Sequence, residues 1–409
     1  MLGLAGHTID ALDPDRHCIC RFSRFVRHVY QSPRLSDSPG DFAEFLLSHL
    51  STHNYDLVLP VHEHAFLLSA IAEKIQRHCA VAVAPLDAFE RLQNKVRFCE
   101  LLTELQLPQP YTVLVASPAA FPLGKPMPYY VKTAFGTAGD GTWRVSTDGE
   151  LTAVLDALRA RETAGNHGTF IIQDFVPGTL EVVQSVFEKG KLIATHGYRQ
   201  QVEGVGGSAS GRVSVHRPSV VAALKRIGES LNWHGALMLD YILNDATGEF
   251  WFIDPNPRLG ETMNAYLAGT NLPNAMVLLS QGDKVPWSVS KTGVRSHILL
   301  PALLAVAIKT PTRRQLVKEM IAAWRHVGHY AGSREEIMSF RDWLSFLPTA
   351  FVATQLLLRP PGAQTIASRA IKNYALTEHA ANAIRTALSS QREESRSVEQ
   401  TNTSNEMGQ

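Results

Sequence analysis

The most informative segment of the chain is Ile253-Asp254-Pro255-Asn256-Pro257-Arg258. It closes a predicted β-hairpin whose arms are Ala236 to Leu243 and Glu249 to Asp254, joined by the turn Asn244-Asp245-Ala246-Thr247-Gly248. A carboxylate, an amide and a guanidinium therefore follow one another at the end of a strand.

The pairing of the two arms decides whether this hairpin can bind a ligand. If Leu243 pairs with Glu249, Asp240 lies opposite Phe252 and one diagonal step from Asp254. Side chains alternate between the two faces of a strand, so this register places both carboxylates on the same face. A register one residue away would separate them.

Asp240, Asp254 and Asn256 supply the oxygen ligands that Mg²⁺ prefers, and Mn²⁺ is an alternative ion for the same oxygens. The ion would share its other positions with phosphates and water. The alternative is that Asp254 and Asn256 only end the strand and shape a turn, since Asn-Pro is a turn signal. The residues alone leave both interpretations open.

A second polar segment precedes the hairpin. The predicted strand Tyr129 to Lys132 runs directly into the glycine-rich stretch Phe135 to Thr142. Gly136, Gly139 and Gly141 would let successive backbone N–H groups face a phosphate, and the lysine would add a positive charge. A tight turn between strands is the alternative. The spacing matches neither a P-loop nor a dinucleotide-binding fingerprint.

Residues 1–90 alternate short apolar segments with helical ones. Tyr55 to Val61 and Val81 to Ala84 are predicted as strands, with a helix from Glu63 to Arg77 between them. This alternation predicts a small, doubly wound parallel sheet. The chain opens near Leu4 to Ile9, which is typical of the end of a first helix and the start of a second strand. We therefore expect either a shortened N-terminal domain or a wrongly assigned start codon.

The pattern of residues 286–389 is mainly helical, and the polar tail 390–409 is predicted to be disordered. Two apolar runs, Ile298 to Ile308 and Phe346 to Leu358, are shorter than the roughly 20 residues that a membrane-spanning helix needs. We expect them to be buried helices, and we do not expect membrane contact.

Composition excludes several classes of protein. The chain has 409 residues, 45% of them hydrophobic and 19% charged, with 39 basic and 38 acidic side chains. This balance argues against a dedicated nucleic-acid binder, which normally has a basic excess. Four cysteines (Cys18, Cys20, Cys79 and Cys99) lack the spacing of a zinc site, which favours reduced thiols in a cytoplasmic protein.

The order of strand-lysine, glycine-rich loop, strand with an acidic residue, and hairpin ending in Asp254-Pro255-Asn256-Pro257-Arg258 resembles the ATP-grasp superfamily. It is similar to the ATP-grasp domains of carbamoyl-phosphate synthase and biotin carboxylase. The resemblance covers about residues 90–285 and implies an α/β (α+β) ATP-grasp fold. It implies a small parallel-sheet domain over residues 1–90, a two-lobed nucleotide-binding domain over 91–285 and a helical region over 286–389.

The resemblance also implies roles for single residues. Lys95, after the predicted N-cap Asn94, and Lys132 would bind the nucleotide, while Arg258, Arg199 and Lys132 would serve catalysis. Metal would be held by Asp240, Asp254 and Asn256. Phosphate, adenine and ribose would be bound by the following group: Gly136, Thr137, Gly139, Gly141, Gln173, Asp174, Phe175, Val176 and, at the ribose hydroxyls, Glu181.

The implied function is a ligase that uses ATP and Mg²⁺ (or Mn²⁺) to activate a carboxylate as an acyl phosphate, which a nucleophile, by preference an amine, then attacks. A bicarbonate-using carboxylase or carbamoyl-phosphate-type enzyme is one alternative. A non-catalytic ATP-binding sensor or scaffold is another. The expected partners are small carboxylates and amines, with no nucleic acid, and a homodimer is expected from the family's habit. Asp254 is a departure, because the family more often has Glu there.

Overall fold

The computed structural model describes residues 1–122, 124–137, 139–163 and 168–387. Ala138 of the glycine-rich stretch and the tail 390–409 predicted to be disordered lie outside these residues.

The N-terminal part contains a small parallel sheet, as the sequence predicts, but its strands lie elsewhere. They are β1 (Ile9–Asp13) and β2 (Val26–Gln31). The predicted strand at residues 55–61 forms only two isolated bridges, Leu57 with Ala80 and Val61 with Leu259, and the predicted strand at residues 81–84 is not formed. Pro60 has no N–H to donate to a ladder, which is one reason that the first of these runs does not become a regular strand.

The helices of this part follow in the order α1 (Pro39–Thr52), α2 (His64–Ala70), α3 (Ala72–Ile75), α4 (Leu86–Gln93) and α5 (Lys95–Glu104). The single helix predicted from residue 63 to 77 is interrupted at Ile71. Asn94 caps α5 as predicted, because its side chain accepts hydrogen bonds from the backbone N–H groups of Val96 and Arg97.

The first lobe of the central region is a small antiparallel sheet with the strand order β3-β6-β4-β5. Its elements are β3 (Thr112–Val115), β4 (Tyr129–Thr133), β5 (Thr142–Val145), α6 (Asp148–Thr163) and β6 (Phe170–Asp174). Val131, Ile172 and Phe170 pack against Val154 and Leu158 of α6 in its core. The glycine-rich stretch connects β4 to β5.

The second lobe is built on a larger sheet with the order β11-β10-β7-β8-β9-β13-β14, and β12 pairs with β8. Its elements in chain order are β7 (Thr179–Glu188), β8 (Lys191–Glu203), β9 (Ala209–Val215), α7 (Pro218–Ser230), β10 (Gly235–Leu243), β11 (Phe250–Asn256), α8 (Met263–Leu267), α9 (Leu272–Gln281), β12 (Ser288–Val289) and β13 (Arg295–His297). The strands β12, β13 and β14 (Arg334–Glu335) come from the region predicted to be helical. The large sheet therefore continues past the predicted boundary at residue 285.

A layer of helices follows the large sheet: α10 (Leu299–Lys309), α11 (Arg313–Trp324), α12 (Phe346–Leu358) and α13 (Ala363–Lys372). No helix among the described residues has the length and apolarity to cross a bilayer. The prediction that residues 346–358 form a buried helix is half wrong. Ala353 and Leu356 of α12 are buried, but Leu347, Phe351 and Leu358 are exposed.

The chain then returns to its N-terminal part. Residues 378–387 form a last described helix. Leu376, Ala380 and Ile384 are buried in the same hydrophobic cluster as Phe66 and Phe89. This segment therefore packs against the helices that precede the first lobe.

Candidate active site

A β-bulge brings the two predicted metal carboxylates together. The observed pairs are Leu243 with Phe250 and Tyr241 with Phe252, and the register then shifts so that Asp240 pairs directly with Asp254. The predicted register, with Leu243 opposite residue 249 and Asp240 opposite residue 252, is wrong in detail, because it allowed for no extra residue. The inserted residue, Ile253, restores the shared face that a one-residue shift alone would have lost.

The bulge also frees a carbonyl group, which a buried lysine uses. Lys132 Nζ donates to Ile253 O at 2.7 Å and to Gln173 Oε1 at 2.9 Å. Lys132 lies on β4 and Gln173 on β6, so this ammonium links the small sheet to the end of the hairpin. Burial lowers the pKa of Lys132, and the charge of Asp254 opposes that shift. Lys132 thus lies at the junction of the two lobes.

The carboxylates differ in their partners. Asp254 forms an ion pair with the buried Lys95 at the start of α5. Asp240 Oδ1 is buried and has no hydrogen-bond partner among the described residues. Burial, followed by the negative charge of Asp254, raises the pKa of Asp240 to about 7. A buried carboxylate without a hydrogen-bond partner, beside a second carboxylate, is a place that a further cation would stabilise.

The third predicted ligand continues this group. Asn256 Oδ1 accepts from Arg258 Nη2 at 2.9 Å, and Arg258 Nε donates to Glu63 Oε1 at 3.0 Å. Glu63 is buried and also accepts from Gln93 Nε2 at 3.0 Å. The N-terminal part of the chain therefore orients Arg258.

The oxygen atoms of Asp240, Asp254 and Asn256 supply only part of the ligand set of Mg²⁺. No group of three or more His, Cys, Asp or Glu side chains able to hold a metal occurs within the described ranges. Two carboxylates and one amide remain, and the orphaned oxygen of Asp240 is the atom that a cation would satisfy. Mg²⁺ normally completes such a set with water and phosphate oxygens. The residues therefore fit a metal that arrives with a phosphate ligand.

The glycine-rich stretch is tightly built. At Gly141, φ is +72°, and an added Cβ would lie 2.1 Å from Thr133 Oγ1. At Gly136, an added Cβ would lie 2.1 Å from Asp140 O. Gly139, with φ +84°, approaches Gly206 of the β8–β9 connection. Thr137 Oγ1 accepts a hydrogen bond of 3.4 Å from Leu376 N, so the C-terminal segment contacts this loop.

The predicted adenine hinge lies where β6 leaves the small sheet. Gln173 is buried and engaged by Lys132. Asp174 forms an ion pair of 2.5 Å with Lys125. Phe175 is exposed, with the Arg144 guanidinium 5.5 Å from its ring centroid, and Val176 is half-buried. That these residues bind adenine stays a prediction.

Glu181 and Arg199 are not brought to the carboxylate pair. Asp240 pairs with Val182, whereas Glu181 pairs with Tyr241, so Glu181 lies on the opposite face of the sheet. Its fully buried carboxylate accepts from Arg199 Nε at 2.7 Å, from Arg217 Nη2 at 2.7 Å and from the Tyr241 hydroxyl at 2.7 Å. A ribose could reach Glu181 only by displacing one of these partners. The predicted ribose and substrate contacts of this pair gain no support.

The face that carries Asp240 holds an arginine that the sequence analysis did not name. Arg212 is fully buried on β9, and its guanidinium lies 5.1 Å from the ring centroid of Tyr198. It forms ion pairs with Glu336 at 2.7 Å and with Glu261 at 3.4 Å, and its Nε has no partner among the described residues. The only signal in the sequence was that β9 alternates polar with small residues, which does not reveal a charge buried on a shared face.

These features define the class of fold. Two lobes, one built on an antiparallel sheet and the other on a mainly antiparallel one, meet where Lys132 reaches the hairpin, and the hairpin carries the carboxylate pair. This is the ATP-grasp fold, and the resemblance to that superfamily is confirmed at the level of fold.

Comparison with known proteins gives named examples of this fold, although no protein-family model matches the chain. The structure is similar to N5-carboxyaminoimidazole ribonucleotide synthetase from Thermus thermophilus, with a TM-score of 0.56 and 18% identity over 80% of this chain and 95% of that chain. It is also similar to the biotin carboxylase domain of 2-oxoglutarate carboxylase from Hydrogenobacter thermophilus, a dimer solved with MgADP, ADP and bicarbonate. That match has a TM-score of 0.55 and 13% identity, and it covers 70% of this chain and 73% of that one.

A curated relative is also found by sequence. The chain is 28% identical over 170 residues to acetyl-CoA carboxylase 1 of Arabidopsis thaliana, and the match covers 38% of this chain and 7% of that protein. This chain therefore spans a small part of the length of its curated relative.

Proposed function

We propose that the protein is an ATP-dependent ligase that activates a carboxylate as an acyl phosphate and joins it to a nucleophile, with an amine as the preferred acceptor. The observation that carries this proposal is the direct pairing of Asp240 with Asp254, with one oxygen of Asp240 buried and unpartnered among the described residues. Lys95, Lys132 and Arg258 surround this pair. That arrangement concentrates positive charge where a phosphate chain and its cation would be held.

The chemistry balances as two displacements. A carboxylate oxygen attacks the γ-phosphorus of ATP, the bond to the bridging oxygen breaks, and ADP leaves. The amine nitrogen then attacks the acyl carbon, inorganic phosphate leaves, and the nitrogen loses a proton. A bound Mg²⁺ would neutralise phosphate charge, and Asp240, Asp254 and Asn256 are the residues that would hold it.

Within this scheme the chain's own residues orient the reactants. Lys132 is anchored by Ile253 O and Gln173, so its ammonium is held at the lobe junction and can offer a remaining N–H to a phosphate oxygen. Arg258, oriented by Glu63, supplies a planar donor for an anionic oxygen. Arg199 is not assigned this role, because its guanidinium faces away from the carboxylate pair.

A second candidate keeps the same first step but uses bicarbonate as the carboxylate. The similarity to a biotin carboxylase domain that was solved with bicarbonate favours it. No observation among the described residues favours one carboxylate over the other. A non-catalytic ATP sensor is disfavoured because the lysines and carboxylates that phosphoryl transfer requires are present and assembled.

The test is an assay of Mg²⁺-dependent ADP release with bicarbonate, with pools of organic carboxylates, and with each of these plus amines. Asp254→Ala and Asn256→Ala should each lower substrate-stimulated turnover by about a hundredfold. The matched control is Asp156→Ala, which removes an exposed carboxylate on α6 paired with Arg159. ATP binding without turnover on any carboxylate would reject the ligase proposal in favour of the sensor.

A further inference from the structure

An apolar patch lies where the N-terminal part of the chain meets α12, far in sequence from the site described above. We use the term apolar patch for Ile19, Phe340, Trp343, Leu347 and Phe351. Two segments, residues 19–24 and residues 340–351, form it. Their junction is fixed by Asp342, which accepts hydrogen bonds from Ser23 Oγ at 2.5 Å and from Arg24 N at 2.8 Å.

The side chains of the patch point outward to an unusual extent. Phe340 is 91% exposed, Phe351 65% and Trp343 62%. On α12, Leu347, Phe351 and Leu358 recur at helical spacing, while Ala353 and Leu356 face the helical layer. Single exposed apolar residues are normal, but three exposed aromatic rings within residues 340–351 mark an interaction surface.

The charges around the patch identify its partner. Arg21, Arg24 and Arg341 are exposed beside it, and none of these guanidinium groups pairs with an acidic side chain among the described residues. The nearby carboxylate of Asp342 is turned inward by its hydrogen bonds. The surface therefore combines protruding aromatic rings with unneutralised positive charge.

The neighbouring helix repeats this pattern. On α11, Val317, Ile321 and Trp324 are exposed at helical spacing, and the neighbouring Lys318 and Arg325 are exposed as well. Trp and Phe rings with Arg and Lys beside them suit the boundary between headgroups and acyl chains in a bilayer that contains anionic lipid. A second copy of the chain is a poorer occupant, because a symmetric contact would bring the same arginines together.

We propose that the apolar patch holds the protein on the surface of an anionic lipid bilayer. The aromatic rings enter the interface and Arg21, Arg24 and Arg341 contact lipid phosphates. α12 lies along the surface, with Leu347, Phe351 and Leu358 toward the lipid. This proposal is independent of the proposed ligase function, and it differs from the expectation, drawn from the sequence, that there is no membrane contact.

The test is flotation of the full chain with vesicles of phosphatidylcholine alone and with vesicles that also contain phosphatidylglycerol. The protein should float with the anionic vesicles, and added salt should weaken binding. The double variant Trp343→Ser, Phe351→Ser should lower the partition coefficient by at least about tenfold. Both side chains are exposed, so the variant should keep the thermal unfolding midpoint of the parent.

The control is Trp287→Ser. Trp287 is also an exposed tryptophan beside a basic residue, with Lys225 Nζ 5.8 Å from its ring centroid, but it lies outside the patch. This control should float like the parent. Failure of the parent to bind anionic vesicles would overturn the proposal, as would full binding by the double variant. A parent dimer that the double variant converts to a monomer, without vesicle binding by either, would assign the patch to self-association instead.

Discussion

Asp240 shows how a single residue can be costly to the fold and necessary for the site. Its pKa is raised to about 7, chiefly by burial, so the native state holds a proton that the unfolded chain releases near the ordinary value of 3.8. Above pH 7 the native carboxylate is ionised and unpartnered, and its full cost is felt. Below about pH 4 both states are protonated and the cost disappears.

Asp240→Asn should therefore stabilise the metal-free protein while abolishing turnover. We expect the free energy of unfolding to rise by about 2 kcal/mol at about pH 8, and by much less at about pH 4. Urea unfolding in the presence of a chelator measures both values. Asp156→Asn, at an exposed carboxylate, is the control and should change neither. A loss of stability at the higher pH would show that a protein group compensates Asp240.

Gly141 offers a second prediction at this scale. Its φ of +72° and the 2.1 Å approach of an added Cβ to Thr133 Oγ1 leave no room for a side chain. Gly141→Ala should distort the glycine-rich stretch, cost more than about 1 kcal/mol and weaken ATP binding. Isothermal titration with a non-hydrolysed ATP analogue measures the second effect.

Gly149→Ala is the matched control for this substitution. Gly149 lies in the first turn of α6, where an added Cβ meets nothing within 4 Å. Alanine is the better helix former, so stability should stay equal or rise slightly. Equal ATP affinity in both variants would argue against a role for the glycine-rich stretch in binding the nucleotide.

Among the elements, the β10–β11 hairpin shows what sequence could and could not predict. The shared face of Asp240 and Asp254 in the folded chain depends on a bulge. The two arms and the turn follow from alternation and turn residues. The bulge does not, because the extra residue, Ile253, looks like any apolar strand residue and only the three-dimensional pairing reveals it. The opposite faces of Asp240 and Glu181 have the same origin, since the register between strands distant in sequence decides them.

The segment 373–387 was the element least visible in the sequence. The sequence predicts it only as part of the helical region 286–389, yet Ile384 is buried in one cluster with residues of the N-terminal helices. Contacts between residues so far apart in the chain leave no periodic pattern in the local sequence. They join three parts: Tyr374 stacks on His62 at 4.2 Å, Leu376 N donates to Thr137, and Arg385 pairs with Glu90.

Ile384→Ala should therefore lower the free energy of unfolding by about 2–4 kcal/mol, because it leaves a cavity in the main core. It should also speed proteolysis near the end of the described chain. Ile308→Ala, at a position on α10 that is exposed, is the control and should cost less than about 1 kcal/mol. Similar losses in both variants would mean that residues 378–387 are not packed as described.

For the molecule as a whole, buried titratable groups make stability depend on pH in opposing directions. Burial lowers the pKa of His196 to about 3 and that of His297 to about 4, whereas burial raises the pKa of Glu335 to about 7. Stability from the histidines is lost as pH falls below 6.5, because only the unfolded chain then binds the proton. Protonation of Glu335 in the native state stabilises the fold as pH falls from about 7 toward its ordinary pKa, which is the opposite direction. The pH dependence of the stability of the whole protein therefore combines both effects and identifies neither residue.

The contribution of His196 alone can be measured by comparing the pH dependence of unfolding in the parent and in a variant that lacks this imidazole. His196 is almost fully buried, and its Nδ1 lies 2.8 Å from Ser290 Oγ. Between about pH 7.5 and about pH 5.5 the parent should lose about 1 kcal/mol more unfolding free energy than His196→Gln, because the variant has no imidazole to protonate when unfolded. Urea unfolding at both pH values measures this loss. The control is His78→Gln, at an exposed position, whose unfolding free energy should change with pH more nearly as the parent's does. Parallel curves for the parent and His196→Gln would show that His196 accepts its proton in the folded protein, which would contradict its burial as a neutral ring.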